Sequence, residues 1–171
     1  MKTLYLLRHA KSSWDDARLP DHDRPLAPRG LRGGRWMGEH MRRAKIVPDL
    51  VLCSSAVRAV QTLDAINAVM KVPLAVNVED DLYGAGDTSL LDRLQGVPEA
   101  VGAVMIVGHN PGLQDLALML AGDGDQAELA RLGDKFPTCA LATLRVPTPW
   151  ETLGPGHAYL ESLVFPRDSS S

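Results

Sequence analysis

The chain has 171 residues, 45% of them hydrophobic and 23% charged. That length supports one domain with a sizeable core, and the balance excludes the sparse hydrophobicity of a disordered chain. No apolar run approaches the roughly 18 residues of a membrane span, so a membrane-embedded protein is not expected. Residues 1–7 reach Arg8 too soon to hold the apolar region of a signal peptide, and a cytoplasmic protein is expected. Cys53 and Cys139 lie in apolar, strand-like runs without metal-ligand spacing, which predicts two buried reduced thiols.

The net charge of −3 is unevenly spread. Residues 1–45 carry eleven Lys/Arg against five Asp/Glu, and the remainder seven against sixteen. A basic N-terminal segment attracts anionic partners. Aromatic residues make up only 5% of the chain and do not interleave with the basic ones, so no nucleic-acid surface is expected. Small phosphate chemistry accounts better for the asymmetry.

In chain order, residues 3–8 form the first strand, and their near-continuous apolar character predicts a central position covered on both faces. Residues 10–28, with Pro20, Pro25 and Pro28, read as a long polar loop beside that strand end. Trp14 is read as a packing anchor for this loop, with a substrate platform as the alternative. Residues 30–43 are helical: Gly30, Gly33, Gly34, Met37, Gly38 and Met41 fall on one face, and Arg32, Arg35, Glu39, Arg42 and Arg43 on the other. The glycines predict a helix backbone lying close to a sheet.

Residues 49–54 are the second strand, and Ser54 or Ser55 is the expected cap of a helix whose apolar positions are Ala56, Val60, Leu63 and Met70. Residues 74–78 are a shorter strand, and residues 103–107 another continuous apolar one. Asn110-Pro111 pairs a capping residue with proline at the first helical position, opening a helix that stops near Gly122. Residues 139–146 and 157–165 read as later strands, with nearby prolines arguing against central positions. The alternation predicts a three-layer α/β sandwich with a mostly parallel central sheet and helices on both faces. One domain is expected over residues 1–167, followed by a frayed tail at residues 168–171.

Ligands of open α/β sheets bind beyond the carboxyl ends of the strands. Arg8 and His9 end the first strand, Arg58 follows the second, and His109 follows the run at 103–107. Helix N-termini near Ser54/Ser55 and Asn110 add backbone donors and a favourable dipole for an anion. Arg58, in a first helical turn, also needs an anion to compensate it. Together these predict one phosphate-sized site, whereas His22, His40 and His157 have no metal spacing.

Arg8-His9-Ala10-Lys11-Ser12-Ser13-Trp14-Asp15 resembles the N-terminal signature of the histidine phosphatase superfamily, which includes phosphoglycerate mutases and acid phosphatases. Ser54-Ser55-Ala56-Val57-Arg58-Ala59-Val60-Gln61-Thr62 is similar to its second-arginine motif, and Gly108-His109-Asn110-Pro111 to its second-histidine motif. Short length, with Asp23-Arg24-Pro25-Leu26 and Arg29-Gly30, most resembles the branch of SixA-type phosphohistidine phosphatases. The resemblance spans residues 3–121.

It implies a phosphoglycerate mutase-like fold in which His9 is the nucleophile and forms a transient phosphohistidine. Arg8 and Arg58 would neutralise the phosphoryl oxygens, and their charge would favour an unprotonated His9 ring. His109 would donate a hydrogen bond to the same oxygens, and Ser12 and Asn110 would contact substrate. No metal or organic cofactor is implied. Ala10 stands where the family has glycine, and Asp15 where mutases have asparagine; Asp15 is expected to point away or pair with a base.

Matching on Tyr83-Gly84 puts Asp80, flanked by Glu79 and Asp81, at the place of a general acid. A solvated acidic loop is the alternative, because a phosphohistidine leaving group manages without an acid. The expected activity is phosphatase action on a phosphohistidine of a signalling phosphoprotein. The alternatives are a small-molecule phosphomonoesterase acting on a phosphorylated metabolite, and a catalytically inactive phosphate- or phosphoprotein-binding module.

Overall fold

Leu4, Leu6 and Leu7 are fully buried because their strand, β1 (Lys2–Arg8), runs through the middle of a sheet covered on both faces. The computed structural model describes residues 1–167, and the expected frayed tail at residues 168–171 lies outside them. Among the described residues the sheet has seven strands. Their order is β3 (Val76–Glu79), β2 (Leu50–Ser54), β4 (Ala103–Gly108), β1, β6 (Leu141–Val146), β7 (Ala158–Val164) and β5 (Ala121–Gly124). β1 runs parallel to β4, as do β2 to both β3 and β4 and β5 to β7, while β6 is antiparallel to β1 and β7. The sheet is mixed and mostly parallel.

Alternation along β1 sorts its side chains between two cores. Leu4 and Leu6 join Leu90, Leu94, Leu113 and Leu116 of α3 (Asp87–Gln95) and α4 (Gly112–Leu120). Leu7 joins Met37, Met41, Ala59 and Ile66 of α1 (Pro28–Arg43) and α2 (Val57–Met70) on the opposite face. A further helix, α5 (Gln126–Asp134), adds Leu132 to the first core. Each leucine so buried contributes about 2 kcal/mol. The result is three layers, helix, sheet and helix.

Two local expectations are corrected. The glycine face of α1 lies on α2 and the preceding loop rather than on the sheet. A Cβ at Gly34 would stand 2.8 Å from Ala65 Cβ, and one at Gly38 2.7 Å from Ile66 O; one at Gly30 would clash with the Lys11 carbonyl. The prolines also fail to push β6 and β7 outward. Pro147, Pro149 and Pro155 lie in the connection, outside both strands, so each strand pairs on both sides. β6 starts at Leu141 because Cys139 takes a left-handed backbone (φ 61) through which a strand does not continue.

Parallel pairing fixes where the chemistry gathers. Arg8 is in register with Gly108, and Cys53 with Val107, so β1, β2 and β4 deliver His9, Ser54 and His109 to the same sheet edge. The His9 N–H donates to Gly108 O at 3.0 Å, and Cys139 N–H donates to His9 O at 3.0 Å. The residue after the central strand is thus tied down on both sides.

Candidate active site

His9 is 7% exposed. Its Nδ1 lies 2.7 Å from the Ala10 carbonyl, which only accepts, so Nδ1 carries the ring proton. That leaves Nε2 as the acceptor nitrogen of the ring, and the Arg58 Nε–H donates to its lone pair at 3.3 Å. Burial pushes the His9 pKa down to about 3, against the Ala10 hydrogen bond; His109, Arg58 and Arg8 push the same way as burial. The positive neighbours expected to hold the ring neutral therefore act after burial. Ala10 does not take a positive φ, so alanine fits where glycine is usual in the family. Its N–H donates to Thr62 Oγ1 at 2.9 Å, and Thr62 in turn donates to Arg58 O at 2.7 Å.

Arg58, in the first turn of α2, is 6% exposed. Its expected anion comes from within the chain. Nη1 donates to Asp21 O at 2.6 Å and Nη2 to Asp21 Oδ2 at 3.0 Å. The Tyr83 hydroxyl donates to the same Oδ2 at 2.6 Å, and Arg24 Nε to Oδ1 at 3.1 Å. The Tyr83 hydrogen bond and the two arginines hold the Asp21 carboxyl well below the usual carboxylate range, against the effect of burial.

The two serines expected to cap α2 do other work. The helix is capped at Ala56 without a side-chain bond. Ser54 Oγ accepts from Ala56 N–H at 3.2 Å and lies 2.8 Å from His109 Nε2. Ser55 Oγ lies 2.9 Å from His22 Nε2. The Ser54 contact fixes the plane of His109, whose ring centroid is 5.2 Å from that of His9. Burial, reinforced by Arg58, lowers the His109 pKa to about 4.

Arg8 donates from Nη1 to Phe136 O at 3.1 Å, while its Nε is buried without a partner. A buried guanidinium donor left without a partner in this way is costly. Arg8, His9, Ser12, Arg58, His109 and Asn110 all line one cavity of about 390 Å³. Ser12 Oγ accepts from Arg24 Nη1 at 2.8 Å. Asn110 Nδ2 donates to Phe136 O at 3.1 Å, and its Oδ1 accepts from Gln114 N–H at 3.3 Å, so the helix opens one residue later than expected, at Gly112.

Residues 4–84 match the family model described as "Histidine phosphatase superfamily (branch 1)". An uncharacterised protein of Mycobacterium tuberculosis (strain H37Rv) is 39% identical over 163 residues, 94% of this chain and all of that protein. Phosphohistidine phosphatase SixA of Escherichia coli (strain K12) is 30% identical over 110 residues, 63% of this chain and 67% of that protein. The solved structure of a SixA protein from Nakamurella multipartitia superposes with a TM-score of 0.82 at 30% identity, covering 97% of this chain and 96% of that one. The chain belongs to the histidine phosphatase superfamily. It is a phosphatase, close to the SixA group within that superfamily.

In this histidine phosphatase the acidic residues fall in unexpected places. Asp80 is exposed on a short turn, Asp80–Leu82, and does not line the cavity. Its neighbour Glu79 is held by Arg93 at 2.7 and 2.8 Å, and Asp81 lines a separate cleft beside Arg93. Asp15 is exposed and also outside the cavity. Among the described residues the one carboxylate lining it is Asp21, which sequence reading missed. Tyr83, used only as a landmark for Asp80, itself reaches the site through Asp21 and through edge contact with the His109 ring, 5.5 Å between centroids. The signal that could have found Asp21 was the unpaired charge of Arg58 opposite a proline-flanked acidic loop. Among the described residues no cluster of three or more His, Cys, Asp or Glu side chains is placed to hold a metal ion.

Proposed function

We propose that this phosphatase hydrolyses a phosphohistidine on a signalling phosphoprotein, with His9 Nε2 as nucleophile. The observation that carries the substrate class is the state of the cavity's carboxylate. An alcohol leaving group needs a proton in the transition state, but Asp21 is held ionised by Tyr83, Arg58 and Arg24. An imidazole whose distal nitrogen already bears a proton departs neutral and needs no acid.

In the first step the His9 Nε2 lone pair forms the new N–P bond. The bond from phosphorus to the substrate imidazole breaks, and its electron pair returns to that ring. Arg8 and Arg58 hold the equatorial oxygens as planar donors, and His109 stabilises the charge gathering there. Water then attacks phosphorus, the P–Nε2 bond breaks with its pair returning to His9, and the water proton passes to the phosphate product and solvent. Ser12 and Asn110 contact the substrate from the cavity wall.

The catalytic unit is residues 1–167. Two buried thiols, Cys53 and Cys139, both pushed up to about 12 by burial, suit the cytoplasm, where thiols stay reduced. A small-molecule phosphomonoesterase is the second assignment, favoured by a cavity volume within the small-ligand range. A panel of phosphohistidine protein, sugar phosphates and nucleotides, run on wild type and His9→Ala, tests the proposal. Phosphohistidine protein should be the preferred substrate, and His9→Ala should abolish its turnover. Preference for alcohol esters would overturn the substrate class.

A further inference from the structure

Trp14 does not pack as a loop anchor. It is 70% exposed, yet its ring lines the cavity that holds His9 and Arg58. The Arg24 guanidinium lies 3.5 Å from the centroid of the indole. Arg24 itself is 7% exposed and held through two of its nitrogens: Nη1 donates to Ser12 Oγ at 2.8 Å and to Ser13 O at 3.2 Å, and Nε to Asp21 Oδ1 at 3.1 Å. A buried guanidinium held through Nε and Nη1 is thus the shelf on which an exposed indole rests. With one face covered and most of the side chain in solvent, the other face is open.

We infer that Trp14 is a specificity residue, the platform on which a planar leaving group stacks while its phosphoryl group sits between His9 and the arginines. This rests on the reading of the cavity as a phosphohistidine site and extends it to the leaving group. Rigid aromatic surface at a binding wall gives contact area at little entropic cost, because the ring is ordered before substrate arrives. Offset stacking of aromatic rings adds to plain burial, and an imidazole bound to phosphorus is planar. A leaving group without a ring gains nothing from the same wall. Arg24 is a positioning residue in this scheme and acts on the leaving group by holding Trp14.

The test compares two substrates with the same scissile P–N bond, 1-phosphoimidazole, which carries a ring, and phosphoramidate, which does not. Trp14→Ala should lower kcat/KM for phosphoimidazole about three- to tenfold, mainly through KM, and change phosphoramidate by no more than about twofold. Trp14→Phe should keep most of the wild-type preference. Equal losses on both substrates would mean a structural role, and no loss on phosphoimidazole would mean that the ring does not stack there; either result overturns the inference. If wild type turns over neither P–N compound but does hydrolyse phenyl phosphate, the phosphohistidine reading fails on its own. Phenyl against methyl phosphate then applies the same ring-selective test to Trp14.

Discussion

Asp21 Oδ2 lies 3.0 Å from Arg58 Nη2, and the Asp21 carbonyl takes Nη1 of the same guanidinium at 2.6 Å. Both terminal nitrogens of Arg58 are therefore held by Asp21, one by its carboxylate and one by its main-chain carbonyl. Arg58 opens a helix, where a cation is unfavourable without a counter-charge, and Asp21 supplies one. Substrate must share or displace that contact. Charges near 4 Å interact by about 1 kcal/mol even in water, or about fivefold in affinity. Asp21→Asn should accordingly tighten competitive inhibition by inorganic phosphate about fivefold, as measured by the inhibition constant at neutral pH. Weaker phosphate binding in the variant would show that Asp21 only orients Arg58.

Between about pH 6.5 and 4 the stability profile should be dominated by the two site histidines. Their folded pKa values, about 3 for His9 and about 4 for His109, lie below the value of about 6.5 expected when unfolded. Between these values the unfolded chain binds more protons than the folded one, so stability is fully present above about pH 6.5 and is lost as pH falls toward 4 and 3. Melting temperature should fall over that window, and His9→Ala should flatten part of the slope. Activity limited by His9 protonation should persist well below pH 6. A rate that drops with a midpoint near 6.5 would mean that His9 titrates as an exposed ring.

Ser54 joins β2 to His109 and to the backbone of α2. Ser54→Ala removes the partner of His109 Nε2 and leaves the Ala56 N–H without its side-chain acceptor. Losing such a buried bond costs about 1–3 kcal/mol, visible as a lower denaturant midpoint. Because the freed His109 ring is no longer held against the phosphoryl site, kcat should also fall by about an order of magnitude, about 1.4 kcal/mol of barrier. An unchanged kcat with lowered stability would assign Ser54 to the fold alone.

Asp80 is exposed and outside the cavity, so Asp80→Asn should leave turnover of phosphohistidine protein within about twofold of wild type. A large loss of kcat on alcohol esters, with the P–N substrate spared, would restore Asp80 as a proton donor reached by loop movement.

Helix packing offers a separate check on the fold. A Cβ at Gly38 would press against the Ile66 carbonyl and Val69 Cβ at 2.7 and 3.0 Å, and neither backbone can retreat freely. Gly38→Ala should destabilise by about 1–3 kcal/mol in denaturant unfolding, while the activity per folded molecule stays near wild type.

How far the sequence was legible follows from where each signal resides. β1 and β4 are continuous apolar runs buried on both faces, and their parallel register makes their last residues neighbours. Arg8, His9 and His109 were therefore readable as one group. β5, Ala121–Gly124, carries almost no strand propensity and forms because β7 offers it an edge, which is information held by the fold and absent from the segment. The Asp21 contact is of the same kind. It joins a loop to residues 37 and 62 positions away, and no local pattern announces such a pairing. The glycines of α1 were legible as a close-approach face, but their partner, α2 rather than the sheet, depends on how two helices share one side.

The central claim is that His9 Nε2 becomes covalently phosphorylated, and rapid-quench trapping with a phosphorus-labelled phosphohistidine protein tests it most directly. Wild type should carry label in the first turnover, in an acid-labile, base-stable bond that maps to His9, and His9→Ala should carry none. Label mapping to another residue, or turnover without label in wild type while His9→Ala remains active, would contradict the account.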